Sequence, residues 1–136
     1  MSILRIKESF GQVTARIASR THEGVSYAVT LYPSKGRSPR GSSRCTCKAG
    51  RCGRQCWHVE AVRVEQVERL SEARSLYREV LTAAHLYEGA NADEVSAWWD
   101  LEMDRQGGDT LAAVRALHAR LLGPGSAAYR VTQMTA

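Results

Sequence analysis

Four cysteines and a histidine fall within one short stretch: Cys45-Thr46-Cys47, then Cys52, then Cys56-Trp57-His58. Thiolate and imidazole are the preferred ligands of Zn²⁺, and four of them complete a tetrahedral shell. The stretch therefore offers five donors for four places. Cys45 and Cys47 flank one residue, as do Cys56 and His58, so two close pairs can meet at one ion. The first 20 residues do not read as a secretory leader, being interrupted by Arg5, Lys7 and Glu8, and nothing approaches the ~20 apolar residues of a membrane span. The expected setting is the cytoplasm, where cysteines stay reduced and clustered thiols read as metal ligands before disulfides. Cys52 is either a replacement ligand, a reactive thiol near Arg51 and Arg54, or a spare loop cysteine. The last is the simplest reading, since neighbouring charge alone does not make a thiol reactive.

Enzyme chemistry finds little support in these residues. His58-Val59-Glu60 has the His-x-Glu of zinc deaminases, but those enzymes need a later Cys-x-x-Cys, and no cysteine follows His58. There is no Walker-type phosphate loop and no Gly-x-Ser-x-Gly. Glu60 is accounted for as an acid in a first helical turn. His22, His85 and His118 stand apart from the cluster and need no chemical role. A metal with four protein ligands has no open position and acts as a structural element.

Charge is uneven along the 136 residues. Residues 1–90 carry a net charge of +7, while 91–136 carry −2. No acidic residue lies between Glu23 and Glu60, whereas Lys35, Arg37, Arg40, Arg44, Lys48, Arg51 and Arg54 all do. Such a run of cations beside a zinc site suits phosphate backbones, with affinity falling as salt rises. The bland alternative is a solvated basic face. Trp57 either packs on the neighbouring strands or stacks on an unpaired base. Trp98 and Trp99 are adjacent on a helix, about 100° apart, so one is expected in the core and the other at a protein interface.

The elements that must position these groups follow from periodicity. Residues 12–20 and 25–32 alternate apolar and polar, Val13, Ala15 and Ile17 on one face of the first, Val25, Tyr27, Val29 and Leu31 on one face of the second. This predicts an antiparallel hairpin turning at His22-Glu23-Gly24. Residues 3–6 offer an edge strand, and 43–46 a short strand that delivers the first cysteines. The segment 33–43 is rich in Pro, Gly and Ser and reads as a loop. From Trp57 to Glu88 the period is helical, with Val59, Val62, Leu70, Ala73, Tyr77, Val80, Leu81 and Ala84 as the apolar stripe, and with Glu60–Arg63 and Glu65–Arg69 spaced to pair on the solvent face. Gly89 stops that helix. Asn91 and Glu94 form a capping-box pattern opening a helix over 92–105. Gly107-Gly108 ends it, Asp109 or Thr110 caps a third helix to about 122, and Gly123-Pro124-Gly125 terminates it. The last dozen residues read as a tail.

With strand, Cys45-x-Cys47, a gap, Cys56-x-His58 and helix in that order, residues 12–75 resemble the SWIM-type zinc finger. The resemblance implies a ββα unit around one structural zinc, with Cys45, Cys47, Cys56 and His58 as its ligands and Cys52 outside the pattern. Trp57 stands where the family often has a basic residue. SWIM fingers occur in transposases and Swi/Snf-class ATPases, so the resemblance implies DNA or protein binding. Nothing else in the chain resembles those enzymes.

The expectation is an α+β protein: a zinc-stapled module over 1–90 with a basic loop at 33–44, and a helical extension over 91–136, packed as one compact unit. Its expected role is a non-enzymatic DNA-binding accessory protein, cytoplasmic, or nucleoid-associated or nuclear if DNA is the partner. The alternative is an adaptor that regulates a larger enzyme through its finger and C-terminal helices. A weaker third reading is a redox protein using Cys52.

Overall fold

The computed structural model describes residues 2–33 and 42–135. The protein is α+β, with a four-stranded antiparallel sheet followed by helices. Strands β1 (Ile3–Ser9), β2 (Gln12–Ala18), β3 (Ser26–Leu31) and β4 (Ser43–Cys45) lie side by side in chain order. The expected hairpin is β2–β3, and it is widened by a strand on each side. Alternation explains the sheet: Val13, Ala15, Ile17, Val29 and Leu31 are all buried, while Thr14 and Arg16 between them are exposed. Register enforces this, setting Ala15 opposite Val29 and Ile17 opposite Tyr27. The β1–β2 turn is Phe10-Gly11, with both residues at positive φ (48° and 85°). The β2–β3 connection closes through Val25 N–H donating to the His22 carbonyl at 3.3 Å, with Gly24 in the left-handed region at φ 75°.

A four-residue helix, α1 (Lys48–Arg51), lies in the gap that the sequence left unassigned. It is followed by α2 (Trp57–Glu88), α3 (Ala92–Arg105), α4 (Thr110–Leu122) and α5 (Ala127–Thr135). The chain forms two compact units, Met1–Glu68 and Arg69–Ala136, and α2 runs from the first into the second. In the first unit, Val62 of α2 joins the buried sheet residues and Cys45, Cys47 and Cys56 in one core. In the second, Ala73, Val80, Ala83, Ala84, Val95, Val114 and Leu117 form a separate core.

The caps follow their expected chemistry. Asn91 Oδ1 accepts from Glu94 N–H at 2.9 Å and Glu94 Oε2 accepts from Asn91 N–H at 3.0 Å, a complete capping box. Asp109 is the N-cap of α4, accepting from Ala112 N–H. Three expectations need correction. Leu70 and Leu81 are exposed, and Ala83 is buried in the second core. Arg69 pairs with Asp109 at 3.2 Å rather than with Glu65, because the carboxylate capping α4 already stands beside it, partly shielded from water. The last dozen residues are helical as α5, begun by Ser126, whose hydroxyl accepts from Tyr129 N–H at 3.0 Å.

No helix among the described residues is long and apolar enough to cross a membrane.

Candidate metal centre

Three elements converge on the centre. Cys45 ends β4 directly opposite Val29 of β3. The next residue locks that end in place: Thr46 N–H donates to the Ala28 carbonyl at 3.0 Å, and Thr46 Oγ1 accepts from Ala28 N–H at 2.9 Å. Cys47 then caps α1, its Sγ accepting from Gly50 N–H at 3.2 Å. Cys56 immediately precedes α2, and His58 lies in the first turn of that helix. The donor atoms of Cys45, Cys47, Cys56 and His58 all lie within 4.8 Å of one another. All four residues are buried, with between 4% and 9% of their surface exposed. This is a set that can hold a metal ion, and among the described residues it is the only such group of His, Cys, Asp or Glu.

Gly50 is required by this geometry. A Cβ at that position would collide with the carbonyl oxygen of Cys45 and come within 2.8 Å of the Cys45 Cβ. The α1 turn thus presses backbone to backbone against the first ligand, a contact only glycine permits.

The histidine is held by packing. Its imidazole centroid lies 4.8 Å from that of Tyr27 and 3.9 Å from that of Trp57. Arg20 in turn lies over the Trp57 ring, 4.2 Å from its centroid. Trp57 is therefore half-buried against the sheet core, the packed one of its two expected roles. His58 Nδ1 is fully buried and has no hydrogen-bond partner. A buried nitrogen without a partner is costly, and a metal ion taken by that nitrogen removes the cost.

Electrostatics of the metal-free centre favour the ligand form at Cys47 and His58 and oppose it at Cys45. Burial, with smaller contributions from the neighbouring thiols, pushes the Cys45 thiol up to about 12. Burial also opposes charge on Cys47, but the N–H groups of Gly50 and Ala49 and the Cys45 and Cys56 thiols outweigh it and draw its pKa below the ordinary value. The His58 pKa is lowered, first by burial and then by Arg20. A neutral imidazole and a stabilised thiolate are the forms a metal takes.

Cys52 is exposed and stands outside the group. It is the C-cap residue of α1. The choice among five donors thus rests on the topology of α1, which the spacing alone left open.

Comparison with family models, with curated proteins and with solved structures finds no match to this chain.

Of the cations singled out in the sequence, Arg44, Lys48, Arg51 and Arg54 are exposed; Lys48 and Arg51 are on α1, and Arg54 lines a depression with Cys45 and Cys56. Arg51 Nε also donates to the Thr46 carbonyl at 2.9 Å, bracing the Cys-x-Cys segment. Lys35, Arg37 and Arg40 lie outside the described residues. Trp98 and Trp99 are both half-buried against the second core. Trp99 meets Tyr77 edge-on at 5.3 Å, and Arg120 covers Trp98 at 4.9 Å. Sequence reasoning missed Gly50, Thr46, Tyr27 and Arg20 as supports of the site. Gly50 had a local signal, a glycine inside the ligand gap. The others depend on strand register.

Proposed function

We propose that the protein is a non-enzymatic nucleic-acid-binding accessory module whose N-terminal unit is organised by one structural zinc ion on Cys45, Cys47, Cys56 and His58. The observation that carries the zinc assignment is the convergence of three thiols and an imidazole within 4.8 Å in a buried site. Soft sulfur donors with one nitrogen suit Zn²⁺, and oxygen-preferring cations are poorly served. Four protein donors fill the shell, so the ion supplies no open position for substrate or water. The resemblance to the SWIM-type finger supports the same ligand set. Nucleic acid is the favoured partner because the exposed cations Lys48, Arg51 and Arg54 lie on or just after α1, beside the candidate donors, and the stretch between Glu23 and Glu60 holds no acidic residue.

The test has two parts. Protein purified without added metal should carry one zinc per chain by elemental analysis, and Cys56→Ser should carry none. Fluorescence anisotropy with labelled DNA should then show binding that weakens steeply with salt, and Arg51→Glu with Arg54→Glu should abolish it. Absence of zinc refutes the first claim, and absence of binding at low salt refutes the second.

An adaptor role is the second reading. It is favoured by an open depression on the second unit, of about 540 Å³, where Ala83, Leu86, Tyr87 and Leu122 meet the polar side chains Arg78, Glu79, Thr82 and His118. Leu86 is 66% exposed there. Loss of a co-purifying protein partner in Leu86→Glu, with DNA binding unchanged, would support the adaptor reading; retention of the partner would refute a role for this face.

A further inference from the structure

The sheet has two faces, and only one is used by the core and the metal centre. On the other face the register lines up Lys7, Thr14, Thr30 and Arg44 in one row across all four strands. The neighbouring row sets Arg5 directly opposite Arg16, with Ala28 beyond. Arg5, Lys7, Arg16 and Arg44 are all exposed. The one acidic residue in the four strands, Glu8, pairs with Val13 on the opposite face and is buried. Between the cations, small residues leave a shallow trough of about 370 Å³ whose lining includes Arg5, Lys7, Thr14, Arg16, Ala28 and Thr30.

Protection of sheet edges against aggregation accounts for cations on β1 and β4. It does not account for Arg16, which is on an inner strand, nor for the pairing of Arg16 with Arg5. Like charges directly opposite one another destabilise a sheet, and a bound anion reverses that penalty.

The β1–β2 turn end of the sheet carries aromatic surface. Phe10, the only phenylalanine in the chain, is 61% exposed at the tip of the β1–β2 turn. Its φ of 48° is a left-handed conformation that Asn, Asp or Gly adopt readily in such turns and a bulky aromatic rarely does. Tyr32, one residue past β3 and 38% exposed, follows Leu31, which pairs with Val13. The register continued by one residue sets Tyr32 beside Gln12. The turn reaches this point too, since a Cβ on Gly11 would lie 3.3 Å from the Cβ of Pro33.

We propose that this outer sheet face binds single-stranded nucleic acid, with Arg5, Lys7, Arg16 and Arg44 taking the phosphates and Phe10 and Tyr32 stacking on unpaired bases. The assignment rests on the nucleic-acid reading above and extends the binding surface from the segment around the metal to the outer face of the sheet. A positive trough with aromatic platforms at its end is the general arrangement by which proteins hold unpaired strands. A duplex keeps its bases stacked and offers nothing to Phe10.

The experiment uses the full-length zinc-loaded protein, a labelled oligothymidylate, the corresponding duplex, and anisotropy titrations across a salt series. Phe10→Asn relieves the strained turn, so its thermal midpoint should equal or exceed that of the parent while single-strand affinity falls about tenfold. Lys7→Gln with Arg16→Gln should weaken binding and flatten the slope of log affinity against log salt by about 0.7 per lost phosphate contact. If both variants bind as the parent does while Arg51→Gln with Arg54→Gln fails, the sheet assignment is overturned and the nucleic-acid reading stands. Tighter binding of the duplex, unaffected by Phe10→Asn, overturns the single-strand assignment. If the parent binds neither probe at low salt, both readings fall.

Discussion

Cys52 and Cys56 are near neighbours in the chain and opposite in circumstance. Cys56 is buried with three other donors, and Cys52 is exposed outside them. Cys52→Ser should therefore keep full zinc content and change stability by no more than about 0.5 kcal/mol, measured by elemental analysis and chemical denaturation. Cys56→Ser should lose the ion, because three remaining donors do not close the shell. Gly50 is the more discriminating position. Gly50→Ala adds one methyl group, which would overlap the Cys45 backbone. The expected cost is about 1–3 kcal/mol in the zinc-loaded protein, with a matching drop in zinc affinity in a chelator competition. An alanine variant with parental affinity would mean that α1 does not press on the first ligand. The cysteine and histidine donors were legible as residue types. The exclusion of Cys52 was not, because nothing in the spacing of 45, 47, 52, 56 and 58 reveals which way the intervening turn folds.

Among the elements, those with a strong local signal were legible at once. β2 alternates without a fault, and α3 begins with a capping box whose two hydrogen bonds are both made. Asn91→Ala should cost about 1 kcal/mol in the second unit, read as a lower unfolding midpoint. Asp109 carries two duties, capping α4 and receiving Arg69 from α2. Asp109→Ala should therefore cost more than Asn91→Ala, about 2 kcal/mol. A double-mutant cycle with Arg69→Ala should return a coupling that isolates the ion pair from the cap. The elements the sequence missed have weak local signals. α1 is a single turn lacking any buried residue, so no periodicity announces it. α5 follows Gly123-Pro124-Gly125, and its only start signal is Ser126. Leu70 and Leu81 misled the α2 stripe because periodicity tells which residues share a face, and burial depends on what covers that face.

For the whole molecule, the two units have separate cores and only one holds the candidate metal set. Removal of the proposed metal ion with a chelator should expose amides of β3, β4, α1 and the first turns of α2 to hydrogen exchange, while α3 and α4 keep their protection. Uniform loss of protection through both units would show that the metal supports them together. The amino-acid sequence determined the fold class, the helix caps and the donor chemistry, since strand and helix periods, cap residues and ligand types are local properties of the chain. Only the tertiary structure decided which four donors meet, why Gly50 is obligatory, and that Arg5, Lys7, Arg16 and Arg44 share one face of the sheet. These depend on strand register, and register is set by contacts between residues far apart in the chain, where a shift of one position turns every side chain to the other side.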